Sequence, residues 1–112
     1  MTLSNAAAWL VLLAAGLLEI VWSVSMKASE GFTKPLLTAI TIAAAWFSFW
    51  LLGLSLKVLP VGTAYAVWTG IGAIGAALLG IVVFKEPATV ARLGCIVLIV
   101  AGILGLKVTS GH

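Results

Sequence analysis

A chain of 112 residues of which 63% are hydrophobic and only 8% charged lies far outside the usage of soluble globular domains, where about a quarter of residues carry charge. With three acids and six bases in all, it lacks the polar surface of a soluble enzyme, and lipid must be its solvent. The net charge of +3 does not point to nucleic acid, because the six bases are scattered over the ends of apolar stretches rather than gathered in a patch.

Those stretches are long enough to cross a bilayer, which takes roughly 20 apolar residues per helix. The pattern predicts an all-α integral membrane protein with four transmembrane helices, at residues 5–26, 35–56, 60–84 and 88–107, forming one domain over residues 1–112. Gly31 and Pro35 bracket the first loop, Pro60 opens the third span after Lys57, and Pro87 opens the fourth after Lys85 and Glu86. Lys27, Lys34, Arg92 and Lys107 are placed to snorkel to the headgroups. The apolar N-terminus lacks the basic start of a secretory signal, and Glu19 interrupts it, so it reads as a retained first helix. With both termini on one side, that side holds Lys57 and Lys107 and the other holds Lys27, Lys34, Lys85 and Arg92. So weak a bias permits insertion both ways up, and two oppositely inserted copies would reproduce the inverted repeat of larger transporters. Four helices hardly enclose a gated pathway, so a dimer is expected.

Helix 1 contains the one acid inside a span, Glu19. An intramembrane carboxylate is costly in its charged form and is normally kept for an ion, a proton or a substrate; the alternative is a carboxylic acid hydrogen-bonded across a dimer. Gly16, Glu19, Trp22 and Ser23 share one helix face, where a carboxylate, an indole and the room left by a glycine suit an organic cation. In helix 2, Thr41, Ser48 and Ser55 form a polar stripe at seven-residue spacing, of which the central Ser48 is the candidate site residue. Trp46, Phe47, Phe49 and Trp50 read as lipid- or helix-packing aromatics.

Helix 3 places Tyr65 and Trp68 on one face, a phenol able to donate to a carboxylate and a second stacking surface, unless the two form a membrane-interface pair. The following Gly70-Ile71-Gly72-Ala73-Ile74-Gly75 matches G-x-G-x-x-G, but without a preceding strand or a later acid it fails as a dinucleotide fingerprint, and no cofactor is implied. Gly70, Gly72 and Gly75 are expected to allow close packing or bending. In helix 4, Gly94, Leu98 and Gly102 recur every four residues and suggest a dimerisation face, or packing within the monomer. Cys95 stands alone, which excludes an intramolecular disulfide and a cysteine metal cluster, and His112 reads as a bystander.

Taken together, Leu18-Glu19-Ile20-Val21-Trp22, Lys27 followed by Ser29-Glu30-Gly31-Phe32-Thr33, the run from Pro60 to Gly70, and residues 94–102 resemble the small multidrug resistance transporters over essentially the whole chain. Trp22, Thr63, Thr69 and Lys107 are similar to the guanidinium-exporter subtype. The resemblance implies an antiparallel, dual-topology homodimer in a bacterial inner membrane. It also implies proton-coupled export of guanidinium cations, with Gly16, Glu19, Trp22, Ser48, Tyr65 and Trp68 at the binding site. The N-terminus runs about six residues beyond the subtype's usual start. An exporter of bulky lipophilic cations, a passive channel and a non-transporting interaction subunit are the rival readings.

Overall fold

In lipid every backbone amide must find its partner inside its own segment, so an apolar run of this length settles into a helix. The computed structural model describes residues 4–109, which hold four α-helices and no strand: α1 Asn5–Ala28, α2 Pro35–Ser55, α3 Val61–Val83 and α4 Val90–Thr109. Each is long and apolar enough to cross a membrane. The amine of Met1 and the side chain of His112 lie outside the described residues.

Local chemistry sets the helix ends. Ser4 caps α1, its hydroxyl accepting the Ala7 N–H at 3.1 Å. Pro35 occupies the first turn of α2, and Pro60 is the N-cap of α3, where a missing N–H costs nothing. The fourth helix begins at Val90, two residues later than the sequence pattern suggests, because the Thr89 hydroxyl accepts the Arg92 N–H at 3.1 Å and so defines the cap.

Two turns at the same end of the protomer use left-handed backbone. Between α1 and α2, Glu30, Gly31 and Phe32 all have positive φ, 52°, 73° and 65°. For the two residues with a Cβ this costs about 1–2 kcal/mol each. Ser29 offsets that cost: its carbonyl accepts the N–H groups of Thr33 and Lys34, and its buried hydroxyl accepts that of Phe32 at 3.0 Å. After α3, Lys85 takes φ 56° and the Glu86 N–H returns to the Gly80 carbonyl at 3.0 Å, a Schellman-type ending with lysine where glycine is usual.

α1 is the central helix, packed against α2 on one side and α3 on the other, while α4 packs on α3. The core runs along α1 through Ala8, Leu12 and Ala15 and meets Leu52 from α2 and Ala64, Val67 and Trp68 from α3. By contrast, α4 buries only Ile96 among its described residues. The four bases expected to snorkel all have partners. Lys34 pairs with Glu30 at 3.1 Å, Arg92 pairs with Glu86, and Lys27 and Lys107 lie over the rings of Phe84 and Trp9.

Candidate functional site

The α1–α2 seam is built from hydroxyls. Thr41, Ser48 and Ser55, the seven-residue stripe of α2, are all buried. Thr41 shares a 2.8 Å hydrogen bond with Ser25 of α1, and Ser48 donates to the Ala15 carbonyl at 2.7 Å. Ser55 turns back to its own helix, donating to the Leu52 carbonyl at 2.7 Å. Trp68 completes the arrangement from α3, its indole N–H donating to the Ser48 oxygen at 2.9 Å. A relay from Trp68 through Ser48 to the Ala15 carbonyl therefore ties three helices together one turn before Glu19.

Around Glu19 the α1–α3 seam is built instead from glycines against bulk. A Cβ at Gly72 would overlap the Glu19 carboxyl, one at Gly75 would overlap the Ile20 side chain, and one at Gly16 would overlap Ile71. Glu19 is half-buried, and its Oε1 is fully shielded with no hydrogen-bond partner among the described residues. The indole N–H of Trp22, one turn on, is in the same condition. A shielded carboxylate oxygen without a donor is costly, so this position asks for a proton or a cation.

From Trp22 an aromatic row crosses the protomer. Ring centroids lie 6.2 Å apart from Trp22 to Phe49, 5.4 Å from Phe49 to Trp68 and 5.5 Å from Trp68 to Tyr65, each pair tilted. Trp68 is buried, whereas Phe49 and Tyr65 leave about half of their surface uncovered, 54% and 55%. The row thus offers π faces, suited to a flat cation, and begins one helical turn from the acid.

A model of the family described as Small Multidrug Resistance protein matches residues 7–99. A protein of Citrobacter freundii called a guanidinium exporter is 55% identical over 102 residues, covering 91% of this chain and 97% of its own length. Proteins of the same name from Yersinia pestis and from Salmonella typhimurium strain LT2 are 52% and 54% identical, over 92% and 91% of this chain and 99% and 97% of theirs. The chain belongs to the small multidrug resistance family. Its four apolar helices and its bacterial relatives make this family member a multi-pass protein of the bacterial inner membrane.

The structure of this small multidrug resistance protein links Trp22, Ser48, Tyr65 and Trp68 across α1, α2 and α3 through the aromatic row and the Trp68–Ser48 bond, with Glu19 one turn before Trp22 on α1. Gly16 packs against the Ile71 side chain of α3, which occupies the space a Cβ there would need. The Tyr65 hydroxyl makes no hydrogen bond to Glu19 among the described residues. Gly70 packs against Ile99 and Ile103 of α4, and Gly72 against the acid itself. Gly94 and Gly102 have open space around them, and Leu98 is 71% exposed, so this face of α4 has no partner within the described protomer. Among the described residues no group of His, Cys, Asp and Glu could hold a metal ion.

Two of these contacts were not legible in the sequence. Phe49 bridges the two tryptophans, although the cluster Trp46, Phe47, Phe49 and Trp50 carries no periodicity that singles it out; its position directly after Ser48 was the only available hint. The Ala15 carbonyl, which receives Ser48, has no side-chain signal at all.

Proposed function

We propose that this chain is a proton-coupled antiporter that exports guanidinium and small substituted guanidinium cations. One observation carries the reading: the shielded Oε1 of Glu19, without a hydrogen-bond partner among the described residues, one turn from a row of four aromatic rings that starts at Trp22. Guanidinium fits both halves, since its planar N–H fork pairs with a carboxylate and its weakly hydrated faces stack on indole. Relatives at 52–55% identity that carry the name guanidinium exporter support the substrate class.

In this mechanism protons and cation compete for the same carboxylate, and the accessible side changes only when that carboxylate is occupied. Trp22, Phe49, Trp68 and Tyr65 supply the stacking surfaces. Ser48, held by Trp68 and the Ala15 carbonyl, fixes the spacing of the three helices around them. The glycines at Gly70, Gly72 and Gly75 let α3 sit close to α1 and α4 and bend as access changes. The working unit is an antiparallel homodimer whose two Glu19 carboxylates share one site and titrate as a coupled pair. Support for it comes from the unpartnered Gly94, Leu98 and Gly102 face of α4, small residues of the kind that let transmembrane helices approach, and from the weak difference in base count between the two ends.

The test is proton movement in sealed proteoliposomes under a guanidinium gradient, beside a tetraethylammonium gradient and a Glu19→Gln control. Proton flux with guanidinium alone, lost in Glu19→Gln, is the expected result. Equal flux with both cations would replace guanidinium by lipophilic cations as a class, flux without proton movement would make the protein a channel, and none with either would leave an interaction subunit.

A further inference from the structure

A second carboxylate, Glu86, lies at the end of the α1–α3 seam, beyond the turn that follows Glu19. Ser23 stands one helical turn beyond Glu19 on α1, and Ala76 one turn beyond Gly72 on α3. Together with Lys27, Gly80, Phe84 and Glu86 they line a cavity of about 150 Å³. From Gly72, which touches the Glu19 carboxyl, to Gly80, against which the Glu86 carboxylate rests, the distance along α3 is about 12 Å at 1.5 Å per residue. The cavity thus lies along the α1–α3 seam between the turn after the central acid and the end of the protomer.

Glu86 is not positioned by its ion pair alone. Its backbone N–H is bonded to the Gly80 carbonyl, so its main chain is held at the cavity wall independently of any side-chain partner. The partner it has is the guanidinium of Arg92, with both side chains only partly covered, 36% and 31% exposed. Lys27 is the other cation at the cavity, its ammonium 5.8 Å from the centre of the Phe84 ring. Ser23 spends its proton on the Ile20 carbonyl at 3.0 Å, which leaves its oxygen able to accept.

A carboxylate that already accepts an arginine side chain has the geometry to accept a free guanidinium, because the two share one planar donor fork. We infer that Glu86 is a second, transient cation subsite, where an incoming guanidinium-type cation exchanges with the Arg92 side chain before moving to Glu19. The inference rests on the proposed transport of guanidinium and extends it to a loading step. Arg92 then acts as a built-in competitor: it keeps the carboxylate satisfied between turnovers and keeps occupancy brief. Lys27 adds repulsion, which favours passage over storage.

The experiment is guanidinium uptake into proteoliposomes by the wild type, Arg92→Gln, Glu86→Gln and the double variant. Removing the competitor is expected to lower the KM about two- to fivefold, and removing the carboxylate to raise it by a similar factor, the range an exposed ion pair allows. The double variant should match Glu86→Gln, and the ratio of protons to guanidinium should hold in all four. Both single variants break the same pair, so a purely structural brace predicts KM shifts of one sign, or none, and either would overturn the subsite. A second readout needs neither variant: in Glu19→Gln, which lacks the central carboxylate, guanidinium should still perturb the side-chain ¹⁵N resonances of Arg92 saturably, and a flat titration would overturn it. A wild type that carries no guanidinium would be recognised separately, since it removes the parent function before any comparison of variants.

Discussion

The two seams of α1 are made of different materials. Against α2, Thr41 and Ser48 are locked by hydrogen bonds to Ser25 and to the Ala15 carbonyl, and Ser48 also receives the Trp68 N–H. Against α3, beyond the apolar core, the contacts around the acid are glycines opposite the side chains of Glu19, Ile20 and Ile71, with no hydrogen bond from the acid among the described residues. A hydrogen-bonded seam has one good register, whereas a seam of glycine against side chain has van der Waals contact and little directionality. The difference teaches where a conformational change is least costly: the Trp68–Ser48 bond anchors α3 to the α1–α2 unit at one point, and the glycine contacts around Glu19 are the part of α3 suited to shift. The acid sits on the adjustable side, so what it binds can bias that shift.

The largest effect that would break this division is at the acid itself. Glu19→Gln should abolish guanidinium-driven proton flux while the purified protein keeps its helical circular dichroism. Glu19→Asp should retain part of the flux with altered pH dependence, because the carboxyl retreats by one methylene.

Next comes Gly72→Ala. Its Cβ would occupy the space of the Glu19 carboxyl, so guanidinium affinity by calorimetry should fall about tenfold or more, equivalent to about 1.4 kcal/mol. Gly53→Ala, on an open position of α2, should leave affinity unchanged; equal losses at the two glycines would mean that helix substitution, and not the acid's space, is responsible.

Ser48→Ala probes the fixed seam. It strands the Trp68 indole N–H in a buried position and should cost about 1–3 kcal/mol of stability, read as a lower midpoint of thermal unfolding in detergent. Transport should slow by a smaller factor than in Gly72→Ala.

The smallest effect is expected at Thr41→Val, which removes the interhelical bond to Ser25. Such bonds average about 0.6 kcal/mol within membranes, so transport should stay near the wild-type rate; a loss as large as that of Gly72→Ala would erase the distinction between the two seams.

Much of the helix plan could be read from residues. Pro35 and Pro60 mark their helix starts because a proline is tolerated where the N–H has no partner, and the spacing of charges bounds the apolar lengths. The start of α4 was less legible, since the proline at 87 suggested an earlier beginning than the Thr89 cap allows. At the site, Glu19 stood out because a charge among apolar residues has few explanations, and Ser48 because its stripe has a period. Phe49 did not stand out: four aromatics in five positions all look alike until the phase of α2 relative to α1 and α3 is known. The same phase decides that Gly16 faces Ile71 and Gly72 faces the acid, which spacing along one helix cannot reveal.

The central claim is competition for one carboxylate, and the most direct measurement is guanidinium binding to the detergent-solubilised protein across a pH series, with proton release recorded in weak buffer. The account predicts that binding releases protons, that affinity weakens steadily as the pH is lowered through the titration of the Glu19 pair, and that both effects vanish in Glu19→Gln. Guanidinium affinity that stays constant over that range, with no proton released, would contradict it.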